Sequence, residues 1–387
     1  MNVLHFAINN FDVTINQTPV KTATFPWIQK FASIGDSYSA GLGSGGRLDW
    51  SCSRYAQSYP HLLQSSLLGS DSKRTHQFLS CSGATSTEIL KDQVSALHED
   101  LDLLTVSAGG NDIGLTPILS NCVYQFYMSA EDACQQAMDQ ARANINNATQ
   151  LYKNVTDLLE AAKPKMNKDH GVIYYTGYAG FFGTDDETCD NVTWAVWRNL
   201  EWSKQYLTLS MRKDLNQMVR SVNDIIRKAV TAAGPNVRFI DYDAQIAATR
   251  GRYCEAGVDE PAPNRRELAF YEWNTVDTGE NKKKLQNRTG DDVPKGSFQG
   301  GIAKEIKKTL EEHPDWQFDP EKGFVNKTRG VNEQGAIEDA IHWLLPDSYK
   351  RVFHLRPKGH WIVAEMVVQD LLKRGHGQRV AEVVDEL

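Results

Sequence analysis

The chain has 387 residues, a formal net charge of −7 and ordinary fractions of apolar and charged residues, which is typical of a globular protein with a sizeable core. The negative balance leaves no basic excess to neutralise phosphates and so argues against a nucleic-acid partner. No apolar run reaches about 18 residues, so the sequence predicts no membrane span. Residues 1–29 lack the apolar core of a signal peptide, and we expect an irregular N-terminal leader there.

Short apolar runs alternate with helical periodicity along the rest of the chain. The predicted strands are 30–35, 77–80, 101–107, 171–176 and 237–241. The main predicted helices are 59–68, 133–162, 206–233 and a last one that starts near Pro357. Strands that alternate with helices indicate an α/β protein with a parallel sheet covered on both faces.

Residues that are suited to ester chemistry occur at three places where a predicted strand ends or a predicted helix begins. Gly35, Asp36 and Ser37 follow the first predicted strand, and a serine on a tight turn after a strand is where an α/β hydrolase can hold a nucleophile. Asn111 follows two glycines after the third strand, and His354 precedes the last helix. Each residue alone has an ordinary explanation, as a helix cap, a turn residue or a surface histidine.

Together with Ser82-Gly83-Ala-Thr85, these motifs resemble the SGNH hydrolases, also called the GDSL esterase/lipase family, of the secreted, disulfide-containing type. The resemblance covers Phe31 to about Lys373 apart from one long insertion, with four motifs in the family's order. It implies a three-layer α/β/α fold around a central five-stranded, mainly parallel sheet, which is SGNH/flavodoxin-like. It also implies a carboxylic ester hydrolase that needs neither a metal nor another cofactor.

The resemblance assigns Ser37 as the nucleophile and His354, the first histidine of a His-X-X-X-X-Gly-His segment, as its base. The Ser37 N–H, the Gly83 N–H and the Asn111 side-chain amide are the expected donors to the oxyanion of an attacked ester. His360, which completes the segment, is expected to pack or cap inside the last helix.

The family usually has an aspartate three residues before the histidine, where this chain has Arg351. A main-chain carbonyl near Arg351 is one candidate for orienting the imidazole of His354, which would give a Ser–His dyad. Asp347, on the same loop, is the possible third member of a triad. We expect the dyad, and we interpret Asp36 and Asp112 as carboxylates that hold two loops.

One glycine-rich loop could suggest a nucleotide cofactor. Gly41-Leu-Gly43-Ser-Gly-Gly46 matches the dinucleotide fingerprint and follows a predicted strand. The residues after it do not open a helix well, and no acidic residue ends the second strand, where a ribose ligand belongs. We therefore expect no nucleotide cofactor.

The alternation of strands and helices is lost between about 251 and 347. This span contains several Pro and Gly residues, the run Lys282-Lys-Lys284 and aromatics that include Trp273 and Trp316. We expect an insertion over the active-site end, without its own sheet, in a single domain of residues 30–387. The lysine run is typical of a solvated surface.

The six cysteines fall into neighbouring pairs along the chain, which are Cys52 and Cys81, Cys122 and Cys134, and Cys189 and Cys254. Their spacing alone fixes no connectivity. The family's topology favours the first pair, because both members follow loops at the same end of adjacent strands. The alternative is six free thiols in a cytosolic enzyme, and we expect disulfides.

Sequons for N-glycosylation occur at Asn16, Asn147, Asn154, Asn191, Asn287 and Asn326. With the even cysteine count, they favour a secreted glycoprotein. We expect Asn147 and Asn154 on the exposed side of the long predicted helix. We also expect a monomer whose partner is a small-molecule, lipid or carbohydrate ester.

Three functions are compatible with this sequence. The first is a secreted serine esterase for lipid or other acyl esters, and the second is a carbohydrate acetylesterase with the same machinery. The third is a non-catalytic secreted glycoprotein, against which the intact Ser37, Asn111 and His354 argue. The aromatics of the predicted insertion slightly favour an apolar acyl group.

Overall fold

Five parallel strands form the central sheet. The structure, a computed structural model, describes residues 7–8, 11–12, 23–49, 51–124, 132–195, 204–272, 275–276, 316–319, 323–326, 351–375 and 378–379. The strands are β1 (Lys30–Gly35), β2 (Thr75–Phe78), β3 (Leu103–Ser107), β4 (Val172–Thr176) and β5 (Val237–Ile240). Their order is β5–β4–β3–β1–β2 with parallel pairing throughout, which confirms the flavodoxin-like prediction.

Helices surround this sheet. The described helices are α1 (Ser37–Ala40), α2 (Tyr59–Leu62), α3 (Ser86–Glu88), α4 (Leu115–Ile118), α5 (Ala133–Asn146), α6 (Ala148–Ala162), α7 (Leu209–Ala232), α8 (Asp243–Ala248) and α9 (Pro357–Lys373). Helices α2, α3 and α4 continue as π-helical turns over Leu63–Leu67, Ile89–Val94 and Leu119–Val123, and a 3₁₀ turn, Lys163–Lys165, follows α6. Among the described helices, none has the length and apolarity to cross a bilayer.

Burial on both faces explains the sequence of the central strands. β3 and β4 are buried along their whole length, as is usual for a parallel sheet between two helical layers. Successive side chains of β4 point to opposite faces. The Tyr174 hydroxyl donates to Asp370 Oδ2 of α9 at 2.9 Å, whereas the Tyr175 hydroxyl donates to the carbonyl of Ala108 at 3.1 Å. Helix α9 packs with α2, and α6 packs with α7, so the predicted three-layer arrangement is confirmed.

Short antiparallel strand pairs lie outside the central sheet. They are Ala7–Ile8 with Phe11–Asp12, Ala23–Thr24 with Gln378–Arg379, Arg47–Asp49 with Arg54–Tyr55, and Trp316–Asp319 with Gly323–Asn326. The Gly41–Gly46 loop leads into the strand Arg47–Asp49 and not into a helix. A dinucleotide fingerprint requires a helix at that point, so the loop does not have the geometry of that motif.

The last residues of the expected leader belong to the fold. Phe25 and Ile28 are fully buried in the core. The guanidinium of Arg74 donates to the carbonyl oxygens of both residues, at 3.1 and 2.8 Å. The end of the expected leader is therefore joined to the core, and the run Phe25-Pro26-Trp27-Ile28 is too short for its apolar pattern to predict this.

Of the element boundaries that differ from the prediction, those of one helix and one strand have a clear physical reason. The helix predicted over 133–162 is interrupted at Asn147, whose φ of −75° and ψ of 49° are not helical. β2 starts at Thr75, two residues before the predicted strand, because its pairing with β1 begins opposite Lys30. The spacing of apolar residues predicts neither a break at a single residue nor the register in which two strands pair.

Three disulfides join the neighbouring cysteine pairs. Cys52–Cys81 links the hairpin after α1 to the loop after β2, and Cys122–Cys134 links the turn after α4 to the start of α5. Cys189–Cys254 links two loops that are 65 residues apart in sequence. The Cys52–Cys81 bridge directly precedes Ser82 and Gly83 of the SGNH-like motif, and each bridge restrains the loops that it joins.

The predicted sequons fall in different environments. Asn147 and Asn191 are exposed. Asn154 is half-buried, and its amide nitrogen donates to Asp112 Oδ1 at 3.2 Å, so the prediction that it lies on the exposed side is wrong. Asn326 ends the strand Gly323–Asn326, while Asn16 and Asn287 lie outside the described residues.

The described start of the predicted insertion contributes to the core. Tyr253, Phe270 and Tyr271 are fully buried although residues 251–272 contain only isolated bridges. Further along, the pair of strands Trp316–Asp319 and Gly323–Asn326 gives this stretch a small sheet of its own, which the sequence analysis did not predict. Trp273 and Lys282-Lys-Lys284 lie outside the described residues.

Glu272 and Glu260 form a buried carboxylate pair in this stretch. They are 2 % and 9 % exposed, and both accept the N–H of Ala262, at 3.2 and 2.8 Å. Burial, and after it the neighbouring Glu260, raise the pKa of Glu272 from an ordinary 4.5 to about 8. Glu272 is therefore protonated in the folded protein at neutral pH, which avoids two adjacent buried charges.

We expect the protonation of Glu272 to make stability fall as pH rises from about 4.5 to about 8, because the folded state retains a proton that the unfolded state releases. Glu272→Gln keeps a neutral polar group at every pH. The difference in free energy of unfolding between this variant and wild type should therefore shift in favour of the variant as pH rises, by at most about 1.4 kcal/mol per pH unit. Denaturant unfolding across this range checks the expectation. Glu267→Gln, an exposed change nearby, is the control, and a gain from Glu272→Gln that is constant with pH would contradict the argument.

Candidate active site

The end of β1 presents Ser37 at the carboxyl edge of the sheet. Gly35 has φ 142°, and a Cβ there would lie 2.5 Å from the carbonyl oxygen of Ser107, so the turn requires glycine. Asp36 caps α1 by accepting the N–H of Tyr38 at 3.0 Å. Ser37 is the first residue of α1 and is 6 % exposed, which leaves its hydroxyl at the base of a cleft.

His354 reaches this serine from the other end of the chain. Its Nε2 lies 2.7 Å from the Oγ of Ser37 across a sequence separation of 317 residues. At this distance a neutral imidazole can accept the hydroxyl proton. When Nε2 accepts, the ring hydrogen is on Nδ1. The structure therefore brings together the two residues that the sequence analysis named as nucleophile and base.

The loop that carries His354 is held by backbone pairing with the stretch before residue 272. The Phe353 N–H donates to the Tyr271 carbonyl and the Tyr271 N–H donates to the His354 carbonyl, both at 2.8 Å. The Tyr38 hydroxyl donates to the Phe353 carbonyl at 2.9 Å. These three bonds connect the base to a neighbouring loop and to the helix of the nucleophile, so they set its approach to Ser37.

Phe353 has a strained backbone that aims the next residue. Its φ of 69° costs a residue with a side chain about 1–3 kcal/mol, and such a conformation persists only when the surroundings enforce it. The phenyl ring is buried against four other aromatic rings, with centroid separations from 5.3 to 6.4 Å, which belong to Phe181, Phe182, Trp194 and Tyr253. This packing offsets the strain.

Asn111 lies on the loop after β3. It lines the same cleft as Ser37 and His354. Its Nδ2 donates one hydrogen to the Ala84 carbonyl at 3.0 Å, and an amide nitrogen carries a second hydrogen that can serve a ligand. The bond to Ala84 sets the plane of the amide, so the second hydrogen has a defined direction.

The loop of Asn111 is tied to the loop of Gly83. Asp112 Oδ2 accepts from both the N–H and the hydroxyl of Ser86, each at 3.0 Å. This confirms the interpretation of Asp112 as a loop-holding carboxylate. Gly83 has φ 87° in the turn before α3, and it does not belong to the residues that line the cleft.

Asp36 is the second loop-holding carboxylate. Oδ1 accepts from the Tyr38 N–H and the Ser107 hydroxyl at 3.0 Å each, and Oδ2 accepts from the Tyr178 hydroxyl at 2.6 Å. Burial raises the pKa of Asp36 to about 6, against the opposing effect of these donors. All its contacts are to structural groups, which confirms that Asp36 joins the ends of neighbouring strands and does not form a pair with Asp112.

This chain is similar in sequence to known proteins. The model of the GDSL-like lipase/acylhydrolase family matches residues 33–261. The chain belongs to this family. It is 30% identical over 155 residues to a lipase of Streptomyces rimosus and 29% identical over 154 residues to lipase 1 of Streptomyces coelicolor, in each case over 39% of this chain and 53% of the relative. The chain thus spans about half the length of the curated relatives it matches.

A crystal structure of the extracellular lipase of Streptomyces rimosus is also similar to this GDSL-family chain. The two are 23% identical, with a TM-score of 0.46 over 59% of this chain and 85% of the other.

Arg351 occupies the position where the GDSL family usually has aspartate. It is buried, its Nη2 donates to the Thr275 carbonyl at 2.8 Å, and its guanidinium lies 4.3 Å from the ring centroid of Tyr271. The side chain therefore holds the stretch that in turn holds the His354 loop. Asp347, the other candidate for orienting His354, lies outside the described residues.

His360, the second histidine of this GDSL-family segment, is part of the core. It is fully buried in α9, where its Nδ1 accepts the Tyr59 N–H at 3.3 Å. Burial lowers the pKa of His360 to about 3, so the ring is neutral. The expected packing role is confirmed.

The cleft of this GDSL-family protein has an apolar wall that the sequence analysis missed. Leu115 and Leu119 lie one turn apart on α4 and its continuation, and both line the cleft. Tyr124 and Val352 add further apolar surface, and Tyr178 lies beside Asp36. Tyr178 and the α4 residues follow the carboxyl ends of β4 and β3, where ligands bind in open α/β sheets, and this rule could have identified them.

Proposed function

We propose that this GDSL-family protein is a secreted serine esterase that hydrolyses carboxylic esters through an acyl-enzyme on Ser37. The observation that carries the proposal is the 2.7 Å separation between His354 Nε2 and Ser37 Oγ in a cleft open to solvent. A serine hydroxyl is barely acidic and needs a base at this distance. A pair held in this way is suited to nucleophilic acyl transfer.

In the proposed reaction, Ser37 Oγ attacks the ester carbonyl while His354 Nε2 takes the hydroxyl proton. The tetrahedral intermediate then collapses, the bond to the leaving alkoxide breaks, and the imidazolium protonates that alkoxide. Water enters, His354 removes its proton, and attack on the acyl-enzyme releases the carboxylic acid and restores Ser37. The imidazole thus acts once as base and once as acid in each half-reaction.

The oxyanion needs fixed donors. We assign the Ser37 N–H, the second N–H of the Asn111 amide and the Gly83 N–H to this role. The position of Asn111 on the cleft, with its amide plane held by Ala84, supports its assignment. The assignment of Gly83 is based on the family pattern and on the hydrogen bonds that join its loop to the loop of Asn111. Each donor of this kind stabilises the transition state by about 3 kcal/mol.

The apolar wall favours an acyl group longer than acetyl. Leu115, Leu119, Tyr124 and Val352 offer a surface beside the nucleophile, and each buried methylene of an acyl chain contributes about 0.8 kcal/mol. An acetyl group is too small to use such a wall. Lipid or other acyl esters are therefore the first candidate substrates, and acetylated carbohydrates, which the same machinery could deacetylate, are the second.

A panel of p-nitrophenyl esters of increasing chain length, measured beside an acetylated xylo-oligosaccharide, tests the proposal. We expect kcat/KM to rise from the acetate to esters with longer chains, by roughly 10-fold or more, because two further buried methylenes at about 0.8 kcal/mol each already give that factor. A preference for the acetylated sugar would select the second candidate. Lack of hydrolysis of every ester by the folded protein would leave only a non-catalytic role.

Leu115→Trp sharpens this test because it fills the cleft from a half-buried position. The longer esters should lose about 10-fold in kcat/KM while the acetate is nearly unaffected. Leu48→Trp adds the same side chain at a residue that is 50 % exposed and outside the cleft, and it should change neither value.

Secretion is the remaining part of the proposal. The three disulfides support it, because such bonds persist in oxidising compartments. The similar Streptomyces rimosus lipase is an extracellular protein. Exposed sequons at Asn147 and Asn191 are compatible with passage through a glycosylating compartment.

A further inference from the structure

Tyr178 connects the two loops that carry Ser37 and Asn111. Its hydroxyl donates to Asp36 Oδ2 at 2.6 Å and accepts the N–H of Gly110 at 3.0 Å. Asp36 immediately precedes the nucleophile, and Gly110 immediately precedes the proposed oxyanion donor. One phenol therefore bridges the residues next to both groups.

Tyr178 is itself held in a fixed position. Its backbone N–H and carbonyl bond to the two ends of the Asn223 amide of α7, at 2.9 and 2.8 Å. Its ring meets the ring of Tyr38 edge-on at a centroid distance of 5.2 Å. A Cβ on Gly110 would lie only 3.2 Å from the Tyr178 ring. The phenol thus fits closely between the helix that anchors it and the loop that it holds.

We propose that Tyr178 is a positioning residue, which fixes the backbone at Gly110 and thereby the direction of the Asn111 amide relative to Ser37. The inference rests on the proposed function and gives Tyr178 no contact with the reacting atoms. If the phenol turned away, the buried Asp36 carboxylate and the Gly110 N–H would both lose a partner, so the bridge has one favoured geometry. An oxyanion donor is effective only when its direction is set before the reaction.

Tyr178→Phe removes the bridge and keeps the ring. For a p-nitrophenyl ester, kcat should fall about 10- to 100-fold, which is less than the loss from deleting an oxyanion donor outright. KM should change less than about twofold, because the group acts on the transition state and not on substrate binding.

The pH profile gives a second readout. The Tyr178 hydroxyl lowers the pKa of Asp36 against the larger effect of burial, so its removal should raise that pKa. A protonated Asp36 accepts the capping N–H of Tyr38 less well and holds the turn of Ser37 less firmly, so kcat/KM should begin to fall at a higher pH in Tyr178→Phe. Four other titratable groups lie near enough to interact electrostatically with Asp36, and all are tyrosines. Burial raises their pKa values, so they stay neutral at the acidic pH values where Asp36 titrates. They are Tyr38, Tyr59, Tyr175 and Tyr242. His354 also lines the cleft and is the same in both proteins.

Tyr174→Phe is the matched control. Tyr174 lies on β4, four residues before Tyr178, and is fully buried. The substitution removes a similar hydrogen bond from a phenol to a carboxylate, here that of Asp370 on the other face of the sheet. It should lower thermal stability while kcat and the pH profile stay as in wild type. If Tyr178→Phe does not fold, Gly110→Ala applies the test from the other side, because its methyl presses on the phenol, and it should show the same loss in kcat.

Hydrogen exchange at the Gly110 amide separates this inference from the proposed function. The amide should exchange faster in Tyr178→Phe than in wild type and be unchanged in Tyr174→Phe, whether or not the protein hydrolyses the ester. Faster exchange with an inactive wild type would refute the esterase and keep the bridge. Unchanged exchange, or kinetics equal to those of Tyr174→Phe, would overturn the positioning role of Tyr178.

Discussion

Replacing Ser37 by alanine is expected to lower kcat for a p-nitrophenyl ester by roughly 10⁶-fold, which is the scale reached when a serine nucleophile is removed. Oγ is the atom that would form the bond to the acyl group, and its partner is the base His354. The substitution removes one oxygen from a small side chain and leaves the backbone N–H in place. The variant should therefore fold normally and still bind the substrate.

Ser39→Ala is the matched control for this change. Ser39 is also on α1 and fully buried, and its hydroxyl lies 2.7 Å from that of Ser80. Its loss should reduce stability by about 1 kcal/mol and leave turnover close to wild type. Thermal unfolding measured beside ester hydrolysis separates the two effects. A folded Ser37→Ala protein that keeps most of its activity would show that another residue carries the chemistry.

The second large effect concerns the group that orients His354. We expect Asp347→Asn to retain most of the activity, because a main-chain carbonyl near Arg351 would still accept the Nδ1 hydrogen. Arg351 has no carboxylate to offer, and its guanidinium is engaged with Thr275 and Tyr271. If Asp347 is instead the third member of a triad, asparagine favours the wrong tautomer, and kcat should fall by about 10⁴-fold.

His354→Ala provides the reference for that experiment. It should reduce kcat by several orders of magnitude under either arrangement, because the base is removed in both. In the double variant, Asp347→Asn should add nothing to His354→Ala if Asp347 acts through the imidazole, and the comparison excludes a separate structural effect. A 10⁴-fold loss in Asp347→Asn alone would replace the dyad by a triad.

The central sheet could be predicted because buried parallel strands are continuous apolar runs that end in turn residues. β1 matches its predicted bounds, and β4 and β5 differ by one residue at one end. The break at Asn147 could not be predicted, since apolar residues continue at helical spacing on both sides of it. The burial of Phe25 and Ile28 was missed for a different reason, because the four-residue apolar run that contains them is too short to predict an element.

The residues of the candidate site also separate into those that could be predicted from the sequence and those that could not. Ser37, Asn111 and His354 stand in short motifs, so the sequence names them and the structure places them on one cleft. Tyr178 and the apolar wall have no motif. The rule that ligands bind beyond the carboxyl ends of parallel strands points to their loops, but it does not tell which side chains of those loops line the cleft.

The two halves of the proposed dyad depend on structures of unequal strength. Ser37 follows directly on a buried strand of the central sheet, at the start of α1, whereas His354 is held by a few bonds to an irregular loop and by the packing of one strained residue. Regions with few regular hydrogen bonds open locally at a lower free energy than the sheet beneath them. Mild heat would therefore separate the base from the serine while the sheet remains intact, and residual activity would report the stability of one loop and not that of the whole domain.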